Sequence, residues 1–396
     1  MSELLSLDEA VRTVLEHATP LAAERVRIDA AAGRVLSEAA RAAIDLPPFA
    51  SSAMDGFALR SEDVPATLRV AGAIAAGQPA ERSLAVGEAM AIATGGAVPD
   101  GADAVAPIED VVVDDNKIDV PRAVGPGSHV RPRGGDVRTG EVVVEAGMRL
   151  GPAQIGALAA AGVAEVTCTS RPRAAVLATG TELRPPGSAL APGQIYEANS
   201  FLLAAALSSA GADVERLPVA EDDDTAHREA LLRALEADVV VTSGGVSVGP
   251  HDLVRRIAAE LGVREVFWGV AVKPGKPVSF GIRARTLVFG LPGNPVSTLA
   301  GFELFVRPAV LKLQGAAEPG PRFLPGRLVS AVRLNPFRDQ LVRARARADG
   351  DEVALEPVTG QESHMIVRAA GADALVHVPR GEGDRAAGSH VRYLPI

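Results

Sequence analysis

Lysine is almost missing from this chain. Of its 40 basic residues only Lys117, Lys273, Lys276 and Lys312 are lysines, and arginine supplies the rest. Lys273 and Lys276 nevertheless stand together in the turn Lys273-Pro274-Gly275-Lys276-Pro277. A compact ammonium on a flexible stem is not interchangeable with a planar guanidinium, so lysines kept in an arginine-rich chain point to a site of tight geometry. Cysteine is rarer still: Cys168 is alone, which excludes an internal disulfide and a cysteine-held metal cluster. The 7 histidines have no His-x-x-His or His-x-x-x-His spacing, which argues against zinc. Trp268, the single tryptophan, reads as core rather than as a stacking platform, and His251 as a surface residue rather than a base. Positive charge is in deficit overall, with a net charge of -9 and a pI near 5.4. A nucleic-acid footprint needs a basic face, so none is expected, and an anionic ligand must be held by a local site against the field of the whole chain. Residues Met1 to His17 are acidic and amphipathic, without the basic start of a signal peptide, and no apolar run is long enough to span a bilayer. The expectation is a cytoplasmic protein with no membrane partner.

At 396 residues the chain calls for more than one core. Apolar residues recur at helical spacing at Leu7, Ala10, Val11, Val14 and Leu15, which predicts a first helix over 7–18. Residues 46–145 alternate short Val/Ile/Ala runs with Gly, Pro and Asp turns and read as a β-rich unit. Pro152 to Gly162 is again helical. From Pro172 to Gly315 the pattern becomes strand, glycine loop, helix, repeated, with strands at 174–178, 213–220, 238–242, 265–272 and 286–290. Helices are expected from Asn199 or Ser200 to Ala210, over 225–236 and 251–261, and from Asn294-Pro295 toward Leu313. Continuous apolar strands joined by helices predict a parallel sheet covered on both faces. Residues 326–396 return to β character and suggest a small barrel or sandwich.

In such a sheet ligands collect where strands end in loops. Three loops there are built from small residues: Thr179-Gly180-Thr181-Glu182, then Thr242 to Gly249 with Ser243, Gly244, Gly245 and Ser247, then Leu291-Pro292-Gly293-Asn294-Pro295. Glycines let backbone N–H groups approach an anion, the helix after Asn294 adds a positive end, and Ser243 and Ser247 add donors. The loops match neither a Walker sequence nor a dinucleotide fingerprint, and no serine sits in a nucleophile elbow. Carboxylates stand close by. Glu182, Asp252 and Asp222 are candidate magnesium ligands, since that ion takes one or two carboxylates plus phosphate oxygens. Helix capping competes with that role at Asp252, and a solvated helix start competes in the run 222–224.

These residues resemble one family along essentially the whole chain. Ser52-Ala53-Met54-Asp55-Gly56-Phe57-Ala58, Ala93-Thr94-Gly95-Gly96, Arg131-Pro132-Arg133-Gly134-Gly135-Asp136, Thr179-Gly180-Thr181-Glu182-Leu183, Gly193-Gln194-Ile195-Tyr196, Ser243 to Gly249, the lysine turn and Gly290 to Ser297 are similar, in order, to the signatures of the MoeA family of molybdopterin molybdenumtransferases, related to the gephyrin E domain. Phe57, Gly135, Thr181 and Gly269 depart from the usual Tyr, Glu, Asp and basic residue. The resemblance implies a multidomain α/β protein. Its parts are a discontinuous domain over 1–45 and 146–170, a β-rich insert over 46–145, a MogA-like three-layer α/β domain over 171–320, and a C-terminal β-barrel over 321–396. It places the first helix, within 1–20, on the third domain. It implies a homodimer that inserts molybdenum from molybdate into adenylated molybdopterin, with magnesium-assisted release of AMP, and a MogA-type adenylyltransferase as a pathway partner. Lys273, Lys276, Asp252, Glu182 and Asp55 would carry the chemistry. Thr179, Gly180, Ser243, Gly244, Gly245, Ser247, Pro277, Pro292, Gly293 and Asn294 would line the substrate cleft. Arg343 and Ser363 would complete the oxyanion pocket from the fourth domain, and Asp55, Thr94 and Asp136 would arrive from the partner subunit. The alternatives are the preceding adenylation of molybdopterin by ATP, or an interaction scaffold of the same fold.

Overall fold

A computed structural model describes residues 4–219, 223–245 and 253–396. Asp222, Ser247 and Asp252 lie outside the described residues.

Alternation within the strands shows why the α/β part forms. In Val239–Ser243, Val239 and Val241 join one apolar cluster with Val176, Phe280, Phe289 and Leu207, while Val240 joins another with Ala175, Leu177, Leu231 and Ile257. A strand whose side chains are buried on both sides must be covered by helices on both faces. Among the described residues the sheet has six strands, in the order Asp213–Arg216, Arg173–Ala178, Val239–Ser243, Thr286–Leu291, Ser279–Arg283, Arg264–Trp268.

The sheet is rich in parallel pairings, as expected, with one exception. Ser279–Arg283 runs antiparallel to both neighbours and is joined to Thr286–Leu291 through a tight turn at Ala284, whose φ is +53°. The expected strand 265–272 is also divided. It stops at Trp268, Gly269 turns with a φ of +89°, and Val272–Lys273 leaves the sheet altogether. That short strand pairs in parallel with Asp339–Asp349, matching Val272 to Asp339 and Lys273 to Gln340.

The C-terminal strands Leu324–Leu328, Asp339–Asp349, Glu352–Pro357, Ala374–Val378 and His390–Pro395 close on themselves, because Asp339–Asp349 also pairs with Ala374–Val378. The result is a barrel rather than a sandwich, with Val342, Ala344, Leu355, Val376 and Tyr393 inside it. The insert carries a further six-stranded sheet with Gly56–Leu59 and Glu88–Ile92 near its middle. Ala23–Arg27 pairs with Glu165–Thr169 and Ala40–Arg41 with Val142–Val144, so chain from either side of the insert is sewn together.

The first helix, Leu7–His17, starts with a reciprocal cap: Glu9 N–H donates to Ser6 Oγ at 3.3 Å, and Ser6 N–H donates to Glu9 Oε2 at 3.0 Å. Its buried face, Leu7, Ala10 and Val14, belongs to the same cluster as Val310, Leu313 and Phe280 of the α/β domain. Burying such a side chain contributes roughly 1.5–3 kcal/mol, so Val14→Asp would detach this helix first. The helix Asn199–Ala210 ends at Gly211 with a φ of +98°, where an added Cβ would lie 2.6 Å from Gln314 Oε1. Its start differs from the expected Asn or Ser cap: Ala198 holds the cap position, and Glu197 braces the first turn by accepting from Ser200 N–H at 2.7 Å and Ser200 Oγ–H at 2.5 Å. Asn199 is thereby released from capping.

Candidate functional site

The C-terminal ends of Arg173–Ala178, Val239–Ser243 and Thr286–Leu291 lie side by side, so the three loops that follow them form one floor. The backbone knits them together. Thr179 N–H donates to Ser243 C=O at 3.1 Å and Gly244 N–H to Leu291 C=O at 3.1 Å. Both amides are therefore spent within the floor and are not offered to a ligand, contrary to the simplest reading of a glycine loop. Space still dictates the glycines. At Gly244, with a φ of +95°, a Cβ would come within 2.8 Å of Thr179 O, and at Gly180, with a φ of +149°, it would occupy the place of the Glu182 carboxylate.

Above this floor is a cavity of about 660 Å³. Thr179, Gly180, Glu182, Ser243, Gly244, Gly245, Gly293 and Asn294 line it, together with Asn199, Glu197, His227 and His364. A second cavity, of about 550 Å³, adjoins it and holds Lys273, Lys276, Pro277, Pro292, Asn294, Ser297, Arg338, Glu362, Ser363 and His364. Asn294 and His364 belong to both. The two candidate lysines, the glycine loops and Ser363 are thus brought to one bipartite cleft between the α/β domain and the barrel. Lys273 and Lys276 are both exposed on its wall. Gly275 between them has a φ of +107°, and Lys276 C=O accepts from Val270 N–H at 3.1 Å and Val278 N–H at 3.0 Å, which fixes the turn against the sheet.

The seam between the domains is explicit. Asn294 Nδ2 donates to Ser363 Oγ at 2.9 Å, and Val296 N–H donates to Ser363 C=O at 3.1 Å. Asn294 holds the cap position of Pro295–Gly301 without a side-chain cap bond, so its amide reaches across the seam instead. The helix continues through a wider π-helical turn at Phe302–Val306 and runs on to Leu313. Its N-terminal end is partly satisfied by the barrel loop rather than left open for an anion.

Two expected ligand groups have other places. Ser243 is 2% exposed, accepts from Asn199 Nδ2 at 2.7 Å, and its hydroxyl faces Pro292 C=O at 3.4 Å. It lies in the floor and is not free to donate to an oxyanion. Arg343 is 1% exposed and borders neither cavity. It donates from Nη1 to Met365 C=O at 2.9 Å and from Nη2 to Gly360 C=O at 2.8 Å and Glu362 C=O at 3.2 Å. Burial pulls its pKa below the ordinary arginine value. A guanidinium with several donors in a rigid fork suits this work, and Arg343 holds the loop that presents Ser363 and His364. Arg338 is the barrel arginine on the cleft wall.

Asp55, Thr94 and Asp136 border neither cavity of their own chain. Asp55 Oδ1 accepts from Thr94 N–H at 2.7 Å and Thr94 Oγ–H at 2.9 Å, and these bonds hold its carboxyl below the usual carboxylate range. The pair is exposed on the insert, as is Asp136. Sequence reasoning missed Asn199, Arg338 and His364. For Arg338 the useful signal was its place just before a strand that faces the lysine turn. Asn199 was hidden because it reads as an ordinary helix cap.

The chain matches family profiles described as "MoeA N-terminal region (domain I and II)" over residues 5–162, "Probable molybdopterin binding domain" over 175–312, and "MoeA C-terminal region (domain IV)" over 322–396. It is 34% identical to a molybdopterin molybdenumtransferase of Haemophilus influenzae, covering 99% of each chain. It is 36% identical to molybdopterin molybdenumtransferase 2 of Mycobacterium tuberculosis, again covering 99% of each. A crystal structure of a molybdopterin biosynthesis moeA protein from Pyrococcus horikoshii superposes with a TM-score of 0.85, at 28% identity and 100% coverage of both chains.

Proposed function

The chain belongs to the MoeA family, and from that premise we propose that it is a molybdopterin molybdenumtransferase: molybdate supplies the metal, adenylated molybdopterin receives it on its dithiolene, and AMP leaves. The observation that carries this reading is the division of the cleft. One compartment presents Lys273, Lys276 and Arg338 to a small space, and the other presents a glycine floor beside Glu182. Molybdate is a compact tetrahedral dianion, and two ammonium groups carried on a braced turn supply the charge to hold it. The seam residues Asn294 and His364 would then border both the oxyanion and the pterin nucleotide. Profile matches on both sides of the central domain disfavour the alternative of a stand-alone adenylyltransferase.

Magnesium fits the donor set of the glycine compartment as an ion that arrives with phosphate oxygens. Glu182 is the exposed carboxylate there, and no group of three or more His, Cys, Asp or Glu that could hold a metal occurs among the described residues. Such a sparse set suits an ion that takes one or two carboxylates and leaves its other positions to water and phosphate. Bound there, it would supply charge neutralisation at the phosphate that departs as AMP. Asp252 and Asp222 remain in this reading as further ligands. Glu197 is excluded from it, being committed to Ser200.

The proposed enzyme is a homodimer, with Asp55, Thr94 and Asp136 of each insert completing the partner's cleft. Support comes from the exposed Asp55–Thr94 pair, which borders neither compartment of its own chain's cleft, and from exposed Met54 beside it. Residues on the two faces of one cleft would thus come from two chains. We also keep the reaction in the cytoplasm, where a MogA-type adenylyltransferase would supply the substrate; no helix among the described residues is long and apolar enough to cross a membrane.

The test is incubation with adenylated molybdopterin, magnesium and molybdate. AMP release that depends on molybdate is expected. AMP release indifferent to molybdate, or formation of adenylated pterin from ATP, would overturn the assignment.

A further inference from the structure

We infer that Asn199 is a positioning residue for the ligand phosphate, acting through Ser243 and Gly293; this rests on the proposed function of the same cleft. The residue stands on the first turn of Asn199–Ala210 and borders the glycine cavity. Both of its amide hydrogens are committed. Nδ2 donates to Ser243 Oγ at 2.7 Å and to Gly293 C=O at 2.7 Å. One side chain from a helix therefore ties the second loop to the third. The first loop is tied to the second by Thr179 N–H on Ser243 C=O. Asn199 and the backbone together convert three separate loops into one rigid floor.

The serine gains a direction from this bond. Its oxygen accepts from the amide, and its own hydrogen faces Pro292 C=O. Pro292 C=O also accepts from Thr298 Oγ–H at 2.7 Å, at the start of the helix behind the third loop. A chain of hydrogen bonds thus runs from Asn199 through Ser243 to Pro292, and it sets the height of Gly293 relative to Gly244. Their α-carbons approach closely enough that a Cβ on Gly293 would lie 3.8 Å from Gly244 Cα.

A second observation separates this amide from mere scaffolding. Asn199 Oδ1 is buried and has no hydrogen-bond partner among the described residues. An orphaned acceptor weakens a fold, so selection for stability alone disfavours it. Glu197 has already taken over the capping duty, so Asn199 does not serve the helix either. What remains is its service to the loops that face the ligand.

The experiment measures binding of AMP and of adenosine to the full-length protein by calorimetry, for wild type, Asn199→Ala, Ser243→Ala and the double variant. Asn199→Ala removes two hydrogen bonds within the floor and is expected to weaken AMP about tenfold and to leave adenosine unchanged. The double variant should bind AMP no more weakly than the worse single variant, because both break the same link. Asn199→Gln keeps the amide but moves it by one methylene, and it should also lose AMP affinity while the melting temperature holds; it carries the test if the alanine variant fails to fold. AMP affinity unchanged in Asn199→Ala or Asn199→Gln, equal losses for AMP and adenosine, or losses that multiply in the double variant would each overturn the role of Asn199 while leaving the transferase reading intact. Wild type that binds no AMP overturns both.

Discussion

The two compartments of the cleft are lined in opposite ways. Around the lysine turn the described lining combines Lys273, Lys276 and Arg338 with one carboxylate, Glu362. Around the glycine floor the described lining contains no lysine or arginine, only Glu182, Glu197, His227, His364 and the phenol of Tyr196 among its ionisable groups. A free dianion in a chain of net charge -9 needs fixed positive side chains to stay bound. A phosphate that arrives covalently attached to a pterin is held by the rest of its molecule, and it can bring a divalent ion as its counter-charge. The difference teaches that cationic side chains are spent where the ligand is small and unanchored.

The largest effect expected from this contrast is at the turn. Lys276→Ala and Lys273→Ala should each cut molybdate-dependent AMP release at least about a hundredfold, with AMP affinity unchanged, since removing one partner of a charged contact costs several kcal/mol. Turnover measured over a molybdate series, with AMP titrations alongside, checks it; parallel loss of AMP affinity would merge the two compartments into one. Next comes Arg343→Met, which strips donors from three loop carbonyls and should cost about 2 kcal/mol of stability. Thermal melts should show it, and molybdate should remain bindable at saturating concentration if Arg338, not Arg343, faces the oxyanion. Smaller again is Glu182→Gln, which should weaken AMP about tenfold with magnesium present and hardly at all without it. Equal weakening under both conditions would detach Glu182 from the metal. At the seam, Asn294→Ala removes the bond to Ser363 and should cost about 1 kcal/mol. It should raise the KM for both substrates together.

The smallest effect serves as a control outside the cleft. Glu88 in the insert accepts from Arg82 and Arg69, and these guanidinium groups hold its carboxyl down to about 2, from 4.5. A depressed carboxylate stabilises the folded state above its unfolded pKa, and that contribution disappears as pH falls from about 4.5 toward 2. Acid melts of Glu88→Gln should lack this component, and AMP binding near neutral pH should not change.

Some of this was legible in the chain and some was not, for identifiable reasons. Lys273 and Lys276 stood out because a residue type avoided elsewhere was retained twice in one turn. The glycine loops and the apolar strands before them declared the sheet and the edge along which the cleft opens. Ser279–Arg283 went unseen because it follows the lysine turn directly and lacks a helix before it. Val272–Lys273 read as the tail of a long strand, since period and composition continue past Gly269 while the backbone does not. Ser243 and Arg343 have the right chemistry for an oxyanion, yet which side of a floor a hydroxyl or guanidinium occupies is settled by packing. Asn199 shows the converse: its residue type announced a cap, and a neighbouring glutamate had taken that task.

The pairing of Val272–Lys273 with the barrel strand has a mechanical corollary. Asp339 N–H donates to Ala271 C=O at 2.9 Å, so the lysine turn is moored to the barrel at its start, while its end runs directly into Ser279–Arg283 of the central sheet. A swivel of the barrel about the segment that follows Leu313 would therefore pull on the start of the turn while the sheet holds its end, and it would also strain the seam at Ser363. In the proposed reaction, the spacing between oxyanion and dithiolene would thus be held by a turn braced from two domains at once.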